Sequence, residues 1–218
     1  MARPRLGWST YTRRVRGMPS LTEAEDLARK LLSPLGDRWA HVQAVAARAV
    51  ELAPAVETDE DRHLLVVAAW WHDLGYAPAL RRTGCHQIDG ARHLTDEGYP
   101  SRLCALVAHH SAARCEAEER GRLAELQEWP CEESPVADAL WTADMTTGPK
   151  GERFAYSERL AEILRHYAPD SPVARAMRRA EPEIKAAIER TQKRLTRSEV
   201  SNVRREHRRC ADAWRGES

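Results

Sequence analysis

Histidine side chains are concentrated in the first half of the chain. Most of the nine histidines lie between His41 and His110, and most of these fall near predicted helix ends. A neutral imidazole offers a nitrogen lone pair to a transition metal, and a carboxylate offsets the charge of a dication. His72 and Asp73 supply both groups from adjacent positions. The pair indicates a metal site as one interpretation, although a histidine at a helix C-terminus is also a routine partner of the helix dipole.

The other candidate ligands recur at long intervals, so that several separate elements must meet around any shared ion. Adjacent residues on a helix point about 100° apart, and His72 and Asp73 converge only where the backbone bends at the last turn. The candidate ligands in chain order are His41, His72, Asp73, His86, the pair His109 and His110, and Asp144.

The composition favours helices over strands. The 218 residues include one Phe and few Ile, whereas Ala, Leu, Arg and Glu are abundant, and this balance predicts an all-α fold. The five cysteines form no C-x-x-C pair, which argues against a disulfide framework or a zinc ribbon. A net charge of +1 gives no global electrostatic support for a nucleic acid partner. No apolar run approaches the roughly 20 residues of a membrane span, and we expect a cytoplasmic protein without a membrane partner.

Local patterns divide the chain into three predicted parts. Residues 1–19 form an arm, since the first 18 residues carry five Arg and no acid. Residues 20–195 form the helical body. Residues 196–218 form a basic tail with little apolar content.

Helical periodicity and capping signals place the candidate ligands on or beside helix ends. His41 lies near the start of a predicted helix, His72 and Asp73 end another, and Asp144 ends a third that begins at Ser134-Pro135. The charged stretch 114–122 is predicted to be a solvated face. The predicted helices run from Leu21 to about Ser33, Arg38 to Leu52, Thr58 to Gly75, Gln87 to Glu97, Arg102 to His110 after a Ser101 cap, Ser134 to Asp144, Ser157 to Tyr167 and Val173 to Leu195.

The order of these residues resembles the HD superfamily of metal-dependent phosphohydrolases. The segment Ala69-Trp-Trp-His-Asp-Leu-Gly75 matches the family's helix end, and the resemblance extends over about residues 38–153. It implies an HD-domain helical bundle around a metal centre. His86 with Gly90-Ala91, followed by the pair at 109–110, resembles the branch that binds two metals, which includes bacterial symmetrical dinucleoside-tetraphosphate hydrolases. Gly98-Tyr-Pro precedes that pair, whereas the motif of HD-GYP proteins follows it, and cyclic-di-GMP hydrolysis is disfavoured.

The resemblance also implies a ligand set and a cofactor. His41, His72, Asp73 and Asp144 would hold a first divalent ion. Asp73 would bridge to a second ion held by His86 and by His110, which is preferred to His109 because it keeps the helix-end register and lies 24 residues after His86. The resemblance leaves open whether one or two ions bind, and whether they are Fe, Mn, Co, Ni or Mg.

The implied activity is hydrolysis of a small-molecule phosphate ester or nucleotide by metal-activated water, with Asp73 at the reacting centre. Charge on the leaving oxygen needs a cation, and Lys150 and Arg153 are the first candidates, followed by Arg81 or Arg82. Each of these is more often a solvated surface charge. Two alternatives stay open, a mixed-valent di-iron oxygenase with the same ligand order and a non-catalytic nucleotide-sensing module.

Overall fold

The computed structural model describes the backbone of residues 15–215 and the side chains of residues 15–201. Most of the predicted arm at 1–19 therefore lies outside the described residues. Within the described range the regular structure is helical, with no β-strand and one isolated bridge between Thr147 and Arg153. None of the described helices combines the length and the apolar character that crossing a bilayer requires.

The α-helices begin where the sequence offers capping side chains. Ser20 forms a capping box with Glu23, Thr58 accepts from the Asp61 N–H, and Ser134 accepts from the Ala137 N–H. The helices are α1 (Leu21–Leu32), α2 (Asp37–Leu52), α3 (Asp59–Trp71), α4 (His86–Asp96), α5 (Ser101–His109), α6 (Ala113–Glu119), α7 (Leu123–Leu126), α8 (Pro135–Met145), α9 (Tyr156–His166) and α10 (Pro172–Arg215).

Helix α3 lies at the centre of the main core. Its 64–69 segment is buried, as the nearly continuous apolar sequence predicts. Trp71 is fully buried at its C-terminal end and donates its indole N–H to the Ala24 carbonyl of α1. This packing fixes the end of α3, from which the chain continues directly into His72 and Asp73.

Helices α9 and α10 build a second, smaller core. Leu160 and Ile163 of α9 pack with Met177 and Ile184 of α10, and this cluster also contacts Met145 at the end of α8. Residues that follow the last predicted ligand therefore form a separate wall beside the main core.

The structure corrects three local predictions. The 114–122 stretch is not a solvated face, because α6 packs under α10 and buries Cys115 and Glu116. Helix α10 does not end at Leu195 but continues to Arg215, since the sequence from 196 to 215 contains no Gly or Pro to end it. Ser101 is not a cap: α5 begins at Ser101 after Pro100, without a side-chain capping hydrogen bond.

Candidate metal centre

Five elements bring six candidate ligands into one buried cluster. His41 comes from α2, His72 and Asp73 from the end of α3, and Asp144 from α8. His86 is the first residue of α4, and His110 follows α5. Both adjacent residues of the His72-Asp73 pair reach the cluster because the backbone leaves the α-helix after Trp71 and enters a 3-10 turn at Leu74–Tyr76.

Asp73 lies between two groups of imidazoles. Its Oδ2 atom is 3.3 Å from His72 Nε2 and 3.8 Å from His41 Nε2. Its Oδ1 atom is 3.2 Å from His86 Nε2 and 3.9 Å from His110 Nε2. The ligand atoms of each three-residue group, with Asp73 in both, lie within 4.8 Å of one another. One carboxylate can therefore contribute to two neighbouring metal sites.

Asp144 closes the first of these groups. Its Oδ1 atom lies 3.1 Å from His41 Nε2 and 3.9 Å from His72 Nε2. Ser111 donates its hydroxyl hydrogen to the other oxygen of Asp144 at 2.5 Å. Ser111 and the next residue, Ala112, both have left-handed φ angles, at 49° and 56°. Such strain in non-glycine residues is typical of functional sites, and here it positions the hydroxyl that orients a candidate ligand.

Backbone carbonyls orient three of the histidines. The Nδ1–H groups of His41, His72 and His110 donate to the carbonyls of Gly148, Ala69 and Val107 at 3.0, 2.7 and 2.7 Å. The Nε2 atoms are therefore directed to the cluster, and such Nδ1–H bonds are the usual outer support of metal-binding histidines. The His72 Nε2 atom is buried and has no hydrogen-bond partner among the described residues. A metal ion would satisfy that atom, and the donor set fits one.

The charges of the cluster favour cation binding. Burial lowers the pKa of His110 to about 4, with His72 and His86 adding to the effect, so this imidazole is neutral. Burial also opposes the charged form of His72, but Asp73 and Asp144 outweigh it and raise its pKa to about 9. Burial works against ionisation of Asp73 too, yet Arg38 and His72 hold its pKa well below the ordinary value. In the metal-free protein His72 therefore carries a proton that a metal would displace.

One of the comparisons with known proteins finds a family. Residues 38–140 match the family model of the HD domain. The matching family model covers just under half of the chain and supports the assignment to the HD superfamily. It includes every candidate ligand except Asp144. No curated protein and no solved structure matches the chain significantly.

One histidine of the sequence prediction does not reach the candidate metal cluster. His109 Nε2 lies 2.9 Å from the Trp129 carbonyl, and the side chain lines a separate cavity of about 240 Å³. Helix α5 ends at His109, and the extended ψ of 149° at His110 turns the chain. The two adjacent side chains consequently face different parts of the molecule, and the structure brings only His110 to the cluster.

Lys150 and Arg153 are not brought to the site either. Both are exposed, and the Arg153 guanidinium donates to Glu51 at 2.5 Å. The loop after α8 turns back through the bridge between Thr147 and Arg153, so these cations lie outside the cavity beside the cluster. Of the two arginines in the loop after Asp73, Arg81 lines that cavity and Arg82 does not.

The cation that does reach the cluster is Arg38, which sequence reasoning missed. Its Nη1 donates to Asp73 Oδ2 at 2.5 Å, and its guanidinium carbon lies 4.0 Å from the centre of the Tyr76 ring. Arg38 precedes His41 by three residues on α2, so the two side chains share one helix face. The three-residue spacing between Arg38 and His41 is the sequence feature that could have identified Arg38.

The cluster opens into a cavity of about 470 Å³. The residues that match the HD family contribute one side of it, including Tyr76 and Glu116, and α9 with the start of α10 contributes the other. A volume of this size suits a small organic molecule. The second wall lies beyond the residues that match the HD family, so its shape belongs to this chain rather than to the shared domain.

Proposed function

We propose that this protein is a metal-dependent phosphohydrolase that acts on a small-molecule phosphate ester or nucleotide. The observation that carries the proposal is the shared carboxylate: Asp73 presents one oxygen to His41 and His72 and the other to His86 and His110. This arrangement suits two divalent ions, such as Fe, Mn, Co, Ni or Mg, held side by side at the end of a cavity.

The residues of the site have separate roles in this proposal. His41, His72, Asp73 and Asp144 would hold one ion, and His86 and His110 would complete the second site with Asp73. The bound ions would supply a deprotonated water as nucleophile and would polarise the phosphoryl oxygens. The chain itself orients the ligands through the histidine Nδ1–H bonds and the Ser111 hydroxyl, and it holds Arg38 beside the reacting centre.

The charge of the cavity agrees with an anionic substrate. Five carboxylates and three guanidinium groups line it, and with the His72 imidazolium beside them the metal-free protein has an excess of one negative charge. Two dications, with loss of the His72 proton, would convert this excess into two positive charges. A phosphate monoester dianion would then be bound with matched charge, and its binding would depend on metal loading.

Arg38 is expected to stabilise the phosphoryl group, because it is the guanidinium that contacts Asp73 and it lines the cavity. Arg38→Met should lower kcat/KM for phosphate release by about 100-fold, in the range for loss of a charged donor at a transition state. Lys150→Met is the matched control, since Lys150 is exposed outside the cavity, and it should retain the wild-type value. Equal losses in the two variants would contradict this role.

The proposed activity is tested by phosphate release. Purified protein loaded separately with Mn, Co, Ni, Mg or Fe is assayed on a panel of nucleotides and sugar and alkyl phosphates, with metal content measured by elemental analysis. Phosphate release that requires metal supports the proposal. Oxygen consumption by the iron form with no phosphate release under any metal would instead support a di-iron oxygenase, and ligand binding with neither activity would support a nucleotide sensor.

A further inference from the structure

The α9 wall of the cavity presents a stripe of side chains toward the metal centre. Arg159, Glu162, Ile163 and His166 all line the cavity, at the spacing that places residues on one helix face. The stripe lies outside the residues that match the HD family. It is therefore a surface through which this chain can select its own substrate.

Arg159 is the unusual member of the stripe. The residue is 8% exposed, and its Nη1 donates to Glu162 on the same helix. Its Nε is buried and has no hydrogen-bond acceptor among the described residues. A guanidinium has five N–H donors in a fixed fork, and a buried charged donor without an acceptor is unfavourable. The protein itself thus leaves part of this cation's hydrogen-bonding capacity unused.

Part of the cavity wall near Arg159 is apolar. Ile163 of α9 and Met177 of α10 are buried beside it in the second core, and Met145 at the end of α8 adds to the same surface. All three line the cavity. These three side chains suit the carbon skeleton of a ligand better than the hydroxyl groups of a sugar, because they offer no good hydrogen-bond partners.

We propose that the cavity takes a phosphate monoester with an apolar body and a second anionic group, and that Arg159 binds that second group. The proposal rests on the phosphohydrolase function above, which places the phosphate ester at the metal centre. Carboxylates and phosphates both accept two parallel hydrogen bonds from a guanidinium. Arg159 is then a specificity-determining residue. The ligand's second anionic group would bind the guanidinium either in place of the Glu162 carboxylate or beside it.

The test compares matched substrates in which only the distal group changes. The n-alkyl phosphates of three to eight carbons are compared with the ω-carboxyalkyl phosphates and the α,ω-alkane bisphosphates of equal chain length. At the best length, kcat/KM for an acid-bearing compound should exceed that for the plain alkyl phosphate by about 10- to 100-fold. The carboxylate and bisphosphate series show which anion the subsite prefers.

Three variants separate substrate binding from a structural role. Arg159→Met should abolish the preference, and Arg159→Lys should retain part of it because the charge remains. Glu162→Gln should increase the preference, since it removes the carboxylate that competes for the guanidinium. Arg165→Met is the matched control, because Arg165 is exposed on α9 and does not line the cavity, and its preference should be that of the wild type.

The same compounds are titrated calorimetrically into metal-free preparations of each variant, so the preference is also measured without turnover. Equal values of kcat/KM and of Kd at every chain length, or a preference that survives in Arg159→Met, would overturn the proposed subsite. Absence of phosphate release from all three series would count against the phosphohydrolase function. In that case the difference in Kd between plain and acid-bearing compounds still decides the role of Arg159.

Discussion

Asp73→Asn is expected to remove at least one metal ion per chain and to lower the rate of phosphate release by about 1,000-fold or more. Each oxygen of Asp73 lies within 4 Å of two imidazole Nε2 atoms. Oδ2 is near His41 and His72, and Oδ1 is near His86 and His110. An amide has nearly the same shape but carries no charge, so it offsets neither dication. A loss of 1,000-fold corresponds to about 4 kcal/mol of transition-state stabilisation, which is within what metal-bound charge supplies.

Asp73→Asn is also expected to destabilise the protein when no metal is bound. The Asp73 carboxylate balances the guanidinium of Arg38 and the imidazolium of His72. Without that carboxylate two positive groups face each other in a buried site, which destabilises the fold as well as the metal complex. Metal content, melting temperature and activity are therefore measured on the same preparations.

Asp138→Asn is the matched control for burial and ion pairing. Asp138 is buried on α8 and accepts from Arg190 at 2.9 Å and Arg194 at 2.7 Å on α10, and it does not line the cavity. This variant should have a lower melting temperature but bind the wild-type amount of metal. Wild-type phosphate release in folded Asp73→Asn would exclude catalysis at this cluster.

Features that depend on near neighbours in sequence could be predicted. The side chains of Ser20, Thr58 and Ser134 accept from the N–H three residues ahead, and a contact so local is encoded in a few positions. The position of Asp73 beyond the end of an apolar helix could also be predicted, because it too depends on residues that are near in sequence. Among the helices that carry ligands, these signals predicted the beginnings of α3 and α8.

Local register favoured His110 over His109 but did not decide between them. The choice depends on the break after α5, where His110 is extended with a ψ of 149° and Ser111 and Ala112 are left-handed, and neither Ser nor Ala indicates a positive φ. That strain is maintained by tertiary contacts, including the bond from the Ser111 hydroxyl to Asp144, 33 positions away in the chain. Which of two adjacent imidazoles faces the cluster is therefore a property of the assembled fold.

The burial of charged residues was also predicted wrongly from the sequence. Glu118 and Glu119 of α6 pair with Arg175 and Arg179 of α10, so a stretch that resembled a solvated face lies under another helix. The same difficulty applies to Arg159, whose burial depends on α10. Sequence shows the charge of such residues, but only packing between distant helices shows whether water surrounds it.

Gly75→Ala is expected to lower the free energy of unfolding by about 3 kcal/mol or more, at the upper end of what overpacking causes. An ideal Cβ at this position would lie 1.9 Å from the His86 carbonyl oxygen and 2.8 Å from the Gly90 amide nitrogen. Both are backbone atoms at the start of α4, so no side-chain rotation relieves the overlap. The chain after Asp73 and helix α4 would have to separate.

Gly17→Ala is the control, because no heavy atom lies within 4 Å of the Cβ it would add, and it should change stability by no more than about 0.5 kcal/mol. Denaturant unfolding and thermal melting measure both variants. A melting temperature for Gly75→Ala equal to that of the wild type would show that α4 moves without cost, contrary to the close backbone packing at this position.

The effect of Gly75→Ala on metal binding should be selective in any protein that still folds. Movement of α4 displaces His86, whose Nε2 lies 3.2 Å from Asp73 Oδ1, whereas His41 and Asp144 are held by α2 and α8. The second metal site should therefore be lost before the first. Metal analysis that gives one ion for Gly75→Ala and two for the wild type would show this order, and the loss of both ions together would mean that the two sites depend on a single rigid arrangement around Asp73.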